Sequence, residues 1–216
     1  MKKFTHIELP NLPALTRKNI DGKRMYLTES GERYPSVTSV LAVRCLGGIQ
    51  KWRQRVGAVE ADKISRKAST RGTRIHGLCE DYLNNKELPE MSMLDRDTWN
   101  TFCPIVERID NIHAVEPYLF SHHLGMAGQC DAIAEFDGKL SVIDFKTSRR
   151  VKYHSQISNY FAQCAAYAIM YEEMTGIAIN RTVVLIAVDG DSPQIFIEKR
   201  DNYVPHLLET KRMFDN

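Results

Sequence analysis

Two short apolar runs in the second half of the chain predict a β-hairpin. Residues 132–136 and 140–145 are mainly apolar, and short runs of this kind between turn residues are typical of strands. Asp137-Gly138 separates them, and this dipeptide favours a type I′ turn because both of its central positions need a positive φ. The turn fixes the register of the two strands. It pairs Phe136 with Lys139, Ile133 with Val142, Ala132 with Ile143, Asp131 with Asp144, and Gln129 with Lys146.

Side-chain alternation in this register places Asp131, Asp144 and Lys146 on one face, far from the turn. Directly opposed residues have Cβ atoms about 4.5–5.5 Å apart, and two carboxylates at about 5 Å repel by roughly 3 kcal/mol at an effective dielectric near 20. A divalent cation removes this repulsion and accepts carboxylate oxygens as ligands. The pattern therefore predicts a metal site, with the backbone carbonyl of Phe145 as a third candidate ligand.

The opposite face of the predicted hairpin is almost entirely apolar, which bears on an alternative interpretation. A surface hairpin with two solvated acids would not need such a face. Strands that are apolar on both sides are typical of the centre of a sheet, so polar residues gathered at one end indicate a functional site. The residues predicted on the apolar face are Cys130, Ala132, Ala134, Phe136, Ile143 and Phe145.

The rest of the pattern predicts helices first and then a sheet. The chain of 216 residues with 43% hydrophobic residues is long enough for one sizeable core. Three consecutive strands, a helix and another strand predict an α/β (α+β) fold with a mixed central sheet flanked by helices. We expect one domain, in which 1–112 form mainly a helical cap or arch and a leading helix, and 113–216 form the sheet core. The predicted elements are a small hairpin around Ser30-Gly31, a helix from Pro35-Ser36 to a break at Gly47-Gly48, helices over 49–83, 94–112, 157–174 and 203–214, and strands over 115–120, 182–188 and 194–197.

Charge is concentrated in one stretch although the net charge is only +2. Between 51 and 74 the basic residues exceed the acidic ones by six. Such a concentration can bind a phosphate backbone, and a solvated helix face is the alternative interpretation. The basic residues are Lys51, Arg53, Arg55, Lys63, Arg66, Lys67, Arg71 and Arg74, against Glu60 and Asp62.

The five cysteines are scattered and form no CxxC pair. This usage argues against a disulfide framework and favours a reducing compartment, and it offers no zinc-ligand spacing. Polar residues interrupt the N-terminal stretch, so we expect no secretory signal. No apolar run is long enough to span a bilayer, so we expect no membrane association.

Two further pairs carry candidate chemistry on predicted helices. His76 follows Gly72 by four residues and precedes Glu80 by four, so His76 and Glu80 share a face. Gln163 and Tyr167 have the same spacing on the helix after the hairpin. Each pair taken alone has an ordinary structural explanation.

In this order, Gly72-x-x-x-His76, Asp131, Asp144-x-Lys146 and Gln163-x-x-x-Tyr167 resemble the RecB-like branch of the PD-(D/E)XK nuclease superfamily. Longer stretches are similar to phage exonucleases and to mitochondrial genome maintenance exonucleases, over about residues 34–190. Cys130-Asp131 stands where the family usually has a Pro-Asp dipeptide, and it keeps the aspartate that would bind the metal. The longer stretches are Tyr34-Pro35-Ser36-Val37-Thr38-Ser39-Val40-Leu41, Trp52, Arg71-Gly72-Thr73, Asp144-Phe145-Lys146-Thr147-Ser148 and Tyr160-Phe161-x-Gln163-x-x-x-Tyr167.

The resemblance implies a restriction-endonuclease-like core and a role for each site residue. Asp131 and Asp144 would hold one or two Mg²⁺ or Mn²⁺ ions, Lys146 would position or activate the water, and His76 would assist at the metal or the phosphate. Iron–sulfur relatives need three late cysteines, and no cysteine follows Cys164, so we expect no cluster. The residues expected to support the site or contact nucleic acid are Gln163, Tyr167, Arg71, Arg74, Glu80, Thr147, Ser148 and Tyr34, with Trp52 and Tyr82 as further stacking candidates.

The resemblance further implies a DNA exonuclease that acts on single-stranded ends. A structure-specific endonuclease and a duplex exonuclease of recombination are enzymatic alternatives. An inactive nucleic-acid-binding domain is an alternative of another class, against which the complete set of Asp131, Asp144 and Lys146 argues. The absence of a transit-peptide pattern favours a phage or bacterial cytoplasm over a mitochondrion.

Overall fold

The hydrophobic runs of the sequence form strands and helices in the fold. The structure is a computed structural model that describes residues 2–9, 12–20 and 22–216. Most predicted elements are present, with the differences given below. The strands are β1 (Leu15–Ile20), β2 (Lys23–Thr28), β3 (Arg33–Pro35), β4 (Ile109–Val115), β5 (Tyr118–Ser121), β6 (Met126–Gln129), β7 (Ala132–Phe136), β8 (Lys139–Ser148), β9 (Arg181–Val188) and β10 (Gln194–Lys199). The helices are α1 (Val37–Ala42), α2 (Leu46–Val56), α3 (Ala58–Leu83), α4 (Met93–Val106), α5 (Ser158–Thr175) and α6 (Val204–Asp215).

A five-stranded sheet in the order β10-β9-β8-β7-β4 forms the centre of the fold. β8 and β9 are parallel because α5 crosses between them, and the other neighbouring strands are antiparallel. The prediction of a mixed sheet flanked by helices is confirmed.

Both faces of the sheet are buried. Val142 and Val184 pack on the side of α5, and Ile143 and Leu185 pack on the side of α3 and α4. β8 is therefore a central strand, as its apolar sequence predicts. A carboxylate in such a strand is removed from water, which is costly unless other groups compensate the charge.

The predicted hairpin register is confirmed from Phe136–Lys139 to Ala132–Ile143. Asp137 and Gly138 have φ values of 52° and 69°, as a type I′ turn requires. The ladder ends at Ala132–Ile143, so the predicted pairings of Asp131 with Asp144 and of Gln129 with Lys146 are wrong. The backbone of Asp131 instead bonds to Glu116. Gln129 pairs with Tyr118 in the separate β5–β6 hairpin.

Cys130 also departs from the predicted alternation. It packs in the cluster on the side of α5, whereas Ala132 and Phe145 lie on the opposite side. The reason is that the chain leaves the ladder before Ala132, and the Cys130 N–H donates to the Pro117 carbonyl at 3.0 Å. Alternation holds only inside a regular ladder.

The predicted helix over 94–112 is wrong in its last part. α4 ends at Val106, and β4 begins at Ile109 as the first strand of the central sheet. Ile109 and Ile112 are both buried, and their spacing of three imitates a helix. It arises from an irregularity in the pairing between Asp110 and Ala114, where Asn111 has a φ of 44°. Extra residues of this kind interrupt the two-residue period of a strand.

The helix break predicted at Gly47-Gly48 is wrong. Both glycines are inside α2, and the long helix is interrupted at Gly57, which has a φ of 84°. Glycine costs a helix about 1 kcal/mol relative to alanine, so it does not end a helix by itself. Gly57 ends this one because its positive φ reverses the chain.

The first 112 residues are not only helical. β1, β2 and β3 form a small antiparallel sheet, which includes the predicted hairpin around Ser30-Gly31. Leu15 and Tyr26 of this sheet pack against Ala127 of β6. The predicted strand over 115–120 is divided between the end of β4 and β5, which pairs with β6 outside the central sheet. None of the described helices has the length and apolar character needed to cross a bilayer.

Candidate metal and nuclease site

Asp131 lies between β6 and β7, where the chain leaves one hairpin and enters the central sheet. Its Oδ2 accepts a hydrogen bond of 2.7 Å from the backbone N–H of Phe145. Its backbone carbonyl accepts the N–H of Glu116 at 2.9 Å. These contacts fix a carboxylate whose side chain is only 11% exposed. The Phe145 backbone thus contacts Asp131 through its N–H, whereas the sequence assigned a metal-binding role to its carbonyl.

Asp144 and Lys146 form an ion pair on the same face of β8. The Lys146 Nζ lies 2.6 Å from the Asp144 carboxylate, and Gln163 Nε2 donates to Asp144 Oδ1 at 3.0 Å. Asp144 is 1% exposed. The Lys146 Nζ lies 2.6 Å from Oδ1 and also 2.6 Å from Oδ2. The ammonium group therefore compensates the charge of this buried carboxylate.

α3 and the end of β4 add His76 and Glu116 to the site. His76 Nδ1 lies 3.5 Å from Asp131 Oδ1. One ligand atom from each of His76, Glu116 and Asp131 lies within 4.8 Å of the others. Glu116 was missed by the sequence analysis, which placed it in the predicted strand over 115–120 but assigned it no role. No short motif marks it.

The electrostatics of the cluster reflect buried like charges. Burial raises the pKa of Glu116 to about 7, and Asp131 adds to the rise. Burial also raises the pKa of Asp144 to about 6, against the opposing effect of Lys146. Burial disfavours ionised Asp131, but His76 and Lys146 outweigh it and lower the pKa of Asp131. Burial disfavours protonated His76, yet Asp131 raises the pKa of His76 overall.

The donor set fits a divalent cation. Carboxylate oxygens are the ligands that Mg²⁺ and Mn²⁺ prefer, and imidazole suits several transition metals. Asp131 and Glu116 supply carboxylates, and His76 supplies a ring nitrogen. Among the described residues, this group of ligand atoms does not include Asp144, which the sequence analysis expected as a metal ligand and which instead pairs with Lys146. A cation at this place would offset the repulsion that raises the pKa of Glu116.

α5 supports the site from behind. Tyr167 is buried against Gly128 of β6, and a Cβ at that glycine would lie 2.9 Å from the Tyr167 hydroxyl. Only glycine therefore allows this contact. Tyr160, one turn before Gln163, places its ring 5.1 Å from the Lys146 Nζ. The cation–π contact and the Asp144 ion pair together hold Lys146 in one orientation.

Among the remaining candidates, only Glu80 lines the site cavity with Asp131 and Lys146. Thr147 lies at the closest approach of α3 to β8, where its Oγ1 is 3.7 Å from a Cβ built on Gly72. The Ser148 hydroxyl donates to the Arg150 carbonyl at 2.6 Å, which gives it a structural role.

Several predicted nucleic-acid contacts lie away from the site cavity. Arg71 pairs with Asp189, and Arg74 pairs with Asp95 at 3.0 Å, both in a groove on another face of α3. The Tyr34 hydroxyl bonds to His122 at 2.7 Å. Tyr82 is buried and donates to Glu107 at 2.6 Å, so the prediction that Tyr82 stacks on a base is wrong. Trp52 lies half-buried on α2.

Comparison with known proteins agrees with this geometry. Residues 104–194 match the PD-(D/E)XK nuclease superfamily. This segment, which is less than half of the chain, is therefore similar to that superfamily. The PD-(D/E)XK segment contains Glu116, Asp131, Asp144, Lys146 and Gln163, whereas His76 lies outside it.

Individual relatives are more distant. The chain is 27% identical over 129 residues to human mitochondrial genome maintenance exonuclease 1, which covers 55% of this chain and 38% of the human protein. A solved structure from Eubacterium rectale with a provisional exonuclease name aligns with a TM-score of 0.47 and 15% identity, over 68% of this chain and 64% of that one. The chain thus spans less than two thirds of both relatives.

We expect Glu116→Gln to stabilise the metal-free protein at pH 8 by about 1–2 kcal/mol, after allowance for solvent screening. The folded-state pKa of Glu116, about 7, lies above its ordinary value of 4.5. The native state therefore binds more protons than the unfolded state between these values, and stability is lost as the pH rises through this window. Glutamine removes this loss.

Urea denaturation in EDTA at pH 5 and pH 8 measures the effect. Glu116→Gln should show a smaller loss of stability between the two pH values than wild type, and the exposed Glu87→Gln should match wild type. An unchanged pH dependence in Glu116→Gln would show that Glu116 titrates normally.

Proposed function

We propose that this protein is a metal-dependent DNA exonuclease that uses Mg²⁺ or Mn²⁺ and acts on single-stranded ends. One observation carries the proposal. Asp131, Glu116 and His76, which can hold a cation, line the same cavity of about 700 Å³ as Lys146. A cation beside an ammonium group is suited to the negative charge of a phosphodiester.

Each side chain has a role in hydrolysis. A bound divalent cation supplies Lewis-acid polarisation of the phosphoryl group and lowers the pKa of its water. Asp131, Glu116 and His76 would hold it, and Asp144, which pairs with Lys146, is a further candidate ligand. Asp144 and Gln163 orient Lys146, whose pKa Asp144 raises against the effect of burial. Lys146 is therefore protonated at neutral pH, and it stabilises the negative charge of the phosphate rather than acting as a base.

The size of the cavity favours a single strand. A volume of about 700 Å³ is typical of sites for small molecules, so it accommodates one or two nucleotides rather than a turn of duplex. A second groove of about 1000 Å³ follows another face of α3 and is rich in basic side chains. We propose that it binds the phosphates of the strand outside the site. Its basic residues are Lys63, Arg66, Lys67, Arg71, Arg74 and Arg149, of which Lys63, Arg71 and Arg74 also pair with carboxylates.

Cleavage of linear and circular single-stranded DNA of equal length tests the function. With Mg²⁺ or Mn²⁺ we expect the linear substrate, labelled at either end, to be shortened progressively, and the circle to remain intact. EDTA should stop the reaction, and Mg²⁺ in excess of EDTA should restore it. Absence of cleavage with both metals would overturn the proposal.

Other outcomes identify the alternatives. Cutting of the circle would indicate an endonuclease, and faster cleavage of duplex ends would indicate a recombination exonuclease. Binding of DNA without cleavage under all metal conditions would indicate a nucleic-acid-binding domain.

A further inference from the structure

Two arginines of the small N-terminal sheet extend into the site cavity. Arg17 of β1 and Arg24 of β2 line it together with Asp131 and Lys146. They lie far from the motifs along the chain, and no feature of their local sequence predicts a role. The small sheet therefore contributes to the site and does not only cover it.

The pairing of β1 with β2 explains why these two side chains point the same way. Arg17 is opposite Tyr26, and Arg24 is opposite Asn19 two residues further along. All four are on one face of the small sheet because positions two apart in a strand share a face. Tyr26 is 2% exposed and packs against β6, so this face is directed towards the site.

The sheet is anchored firmly enough to hold the arginines in place. The Tyr26 ring lies 5.8 Å from the ring of Tyr118. The backbone carbonyl of Arg24 accepts the N–H of Ser36 at 3.1 Å, and Ser36 caps α1. The Arg24 backbone is thereby connected to a helix that packs in the main core.

The charges of Arg17 and Arg24 are not neutralised by an ion pair with any acid in the described part of the chain. Both side chains are exposed towards the cavity. Arg71, Arg74 and Arg200, by contrast, all have carboxylate partners. A guanidinium offers five N–H donors in a planar fork that matches phosphate oxygens. Two such groups in a cavity that also holds the candidate cation ligands form a complementary site for a second anion.

We propose that Arg17 and Arg24 bind the phosphodiester next to the one that is cleaved. The inference rests on the proposed function. The cation ligands and Lys146 engage the reacting phosphate, and the arginines engage its neighbour on the same strand. They are positioning residues, since they hold the strand and take no part in bond breaking.

A charge-matched pair of double variants tests this role. Arg17→Gln/Arg24→Gln removes both guanidiniums from the cavity face. Lys18→Gln/Arg33→Gln removes two positive charges from the opposite face of the same sheet, because Lys18 faces Met25 and Arg33 faces Leu27. Binding of a fluorescent single-stranded oligonucleotide is measured by anisotropy in Ca²⁺, with gels to confirm that the DNA is intact.

We call Arg17→Gln/Arg24→Gln the cavity variant and Lys18→Gln/Arg33→Gln the control variant. We expect the cavity variant to bind the oligonucleotide about 10–100-fold more weakly than wild type in about 0.1 M salt, because it loses two charge-assisted contacts. The slope of log K against log salt should become shallower by about 0.7, since the two arginines bind one phosphate and each neutralised single-strand phosphate contributes about 0.7. The control variant should change neither quantity by a comparable amount. Equal effects of the two variants would overturn the inference in favour of a general electrostatic effect.

A modified substrate localises the contact. A single neutral methylphosphonate is placed at each phosphate that flanks the first cleavage position, and single-turnover rates are measured at subsaturating enzyme with Mg²⁺. At one position the methylphosphonate should reduce the cleavage rate of wild type about 10-fold or more. The same substitution should reduce the rate of the cavity variant much less. If wild type cleaves and no position shows this difference, the arginine inference fails and the proposed function stands. If wild type does not cleave, the proposed function fails, and the binding comparison still decides whether the arginines hold a strand.

Discussion

Lys146→Ala is expected to cleave DNA about 10²- to 10⁴-fold more slowly than wild type, the usual range for loss of a group that acts in the transition state. The Nζ of Lys146 is held 2.6 Å from Asp144 and below the ring of Tyr160. In the proposed mechanism, a side chain held in this way meets the phosphate without reorganisation, which makes its charge effective. Single-turnover cleavage of a labelled single strand with saturating Mg²⁺ measures the loss.

The effect of this variant on folding must be separated from its effect on cleavage. Removal of Lys146 leaves the Asp144 carboxylate buried without the ammonium group that pairs with it. We expect Asp144 to take up a proton, since its pKa is already raised to about 6 by burial, and the fold to persist. Circular dichroism and thermal unfolding test this. Lys139→Ala at the exposed start of the same strand is the matched control. Cleavage by folded Lys146→Ala at the wild-type rate would remove Lys146 from the mechanism.

Asp131→Asn is expected to abolish stabilisation by the cation together with cleavage. A cation at 100 times its dissociation constant stabilises the native state by about 2.7 kcal/mol, and for a protein of this size that raises Tm by roughly 5–10 °C. Asparagine retains an oxygen for the Phe145 N–H but removes the charge that His76 and the cation share. We therefore expect a Mg²⁺- or Mn²⁺-dependent rise in Tm for wild type and almost none for Asp131→Asn.

Asp137→Asn provides the control, because it removes one carboxylate from the exposed turn of the same hairpin. Asparagine tolerates the positive φ of this position. The control should keep both the metal-dependent rise in Tm and cleavage. A full metal-dependent rise in Asp131→Asn would show that the cation binds without this carboxylate.

The hairpin was predictable because its information is local. Asp137-Gly138 determines the turn, and the turn determines the register from Phe136–Lys139 to Ala132–Ile143. The apolar runs on both sides likewise predicted a central strand. Each step depends on residues within 16 positions along the chain.

β4 was not predictable in the same way. Its bulge at Asn111 gives Ile109 and Ile112 a helical spacing. Glu116, which follows the strand, was missed because its partners His76 and Asp131 come from other elements. Cys130 was placed on the wrong face for a related reason, because the ladder ends where β6 diverges to pair with β5. Periodicity identifies regular segments and fails at irregularities, and here the irregularities lie beside the site.

By itself, the sequence determined the mixed fold, the hairpin register and the candidates Asp131, Asp144, Lys146 and His76, since each follows from a local pattern or a motif. Only the tertiary structure decided which other side chains share a cavity with Asp131, Lys146 and His76. It brought in Glu116, Arg17 and Arg24 and placed Arg71 and Arg74 elsewhere. The physical reason is that membership of a cavity depends on how separate elements pack. Arg17 and Asp131 are 114 positions apart, and no turn or periodicity spans that distance.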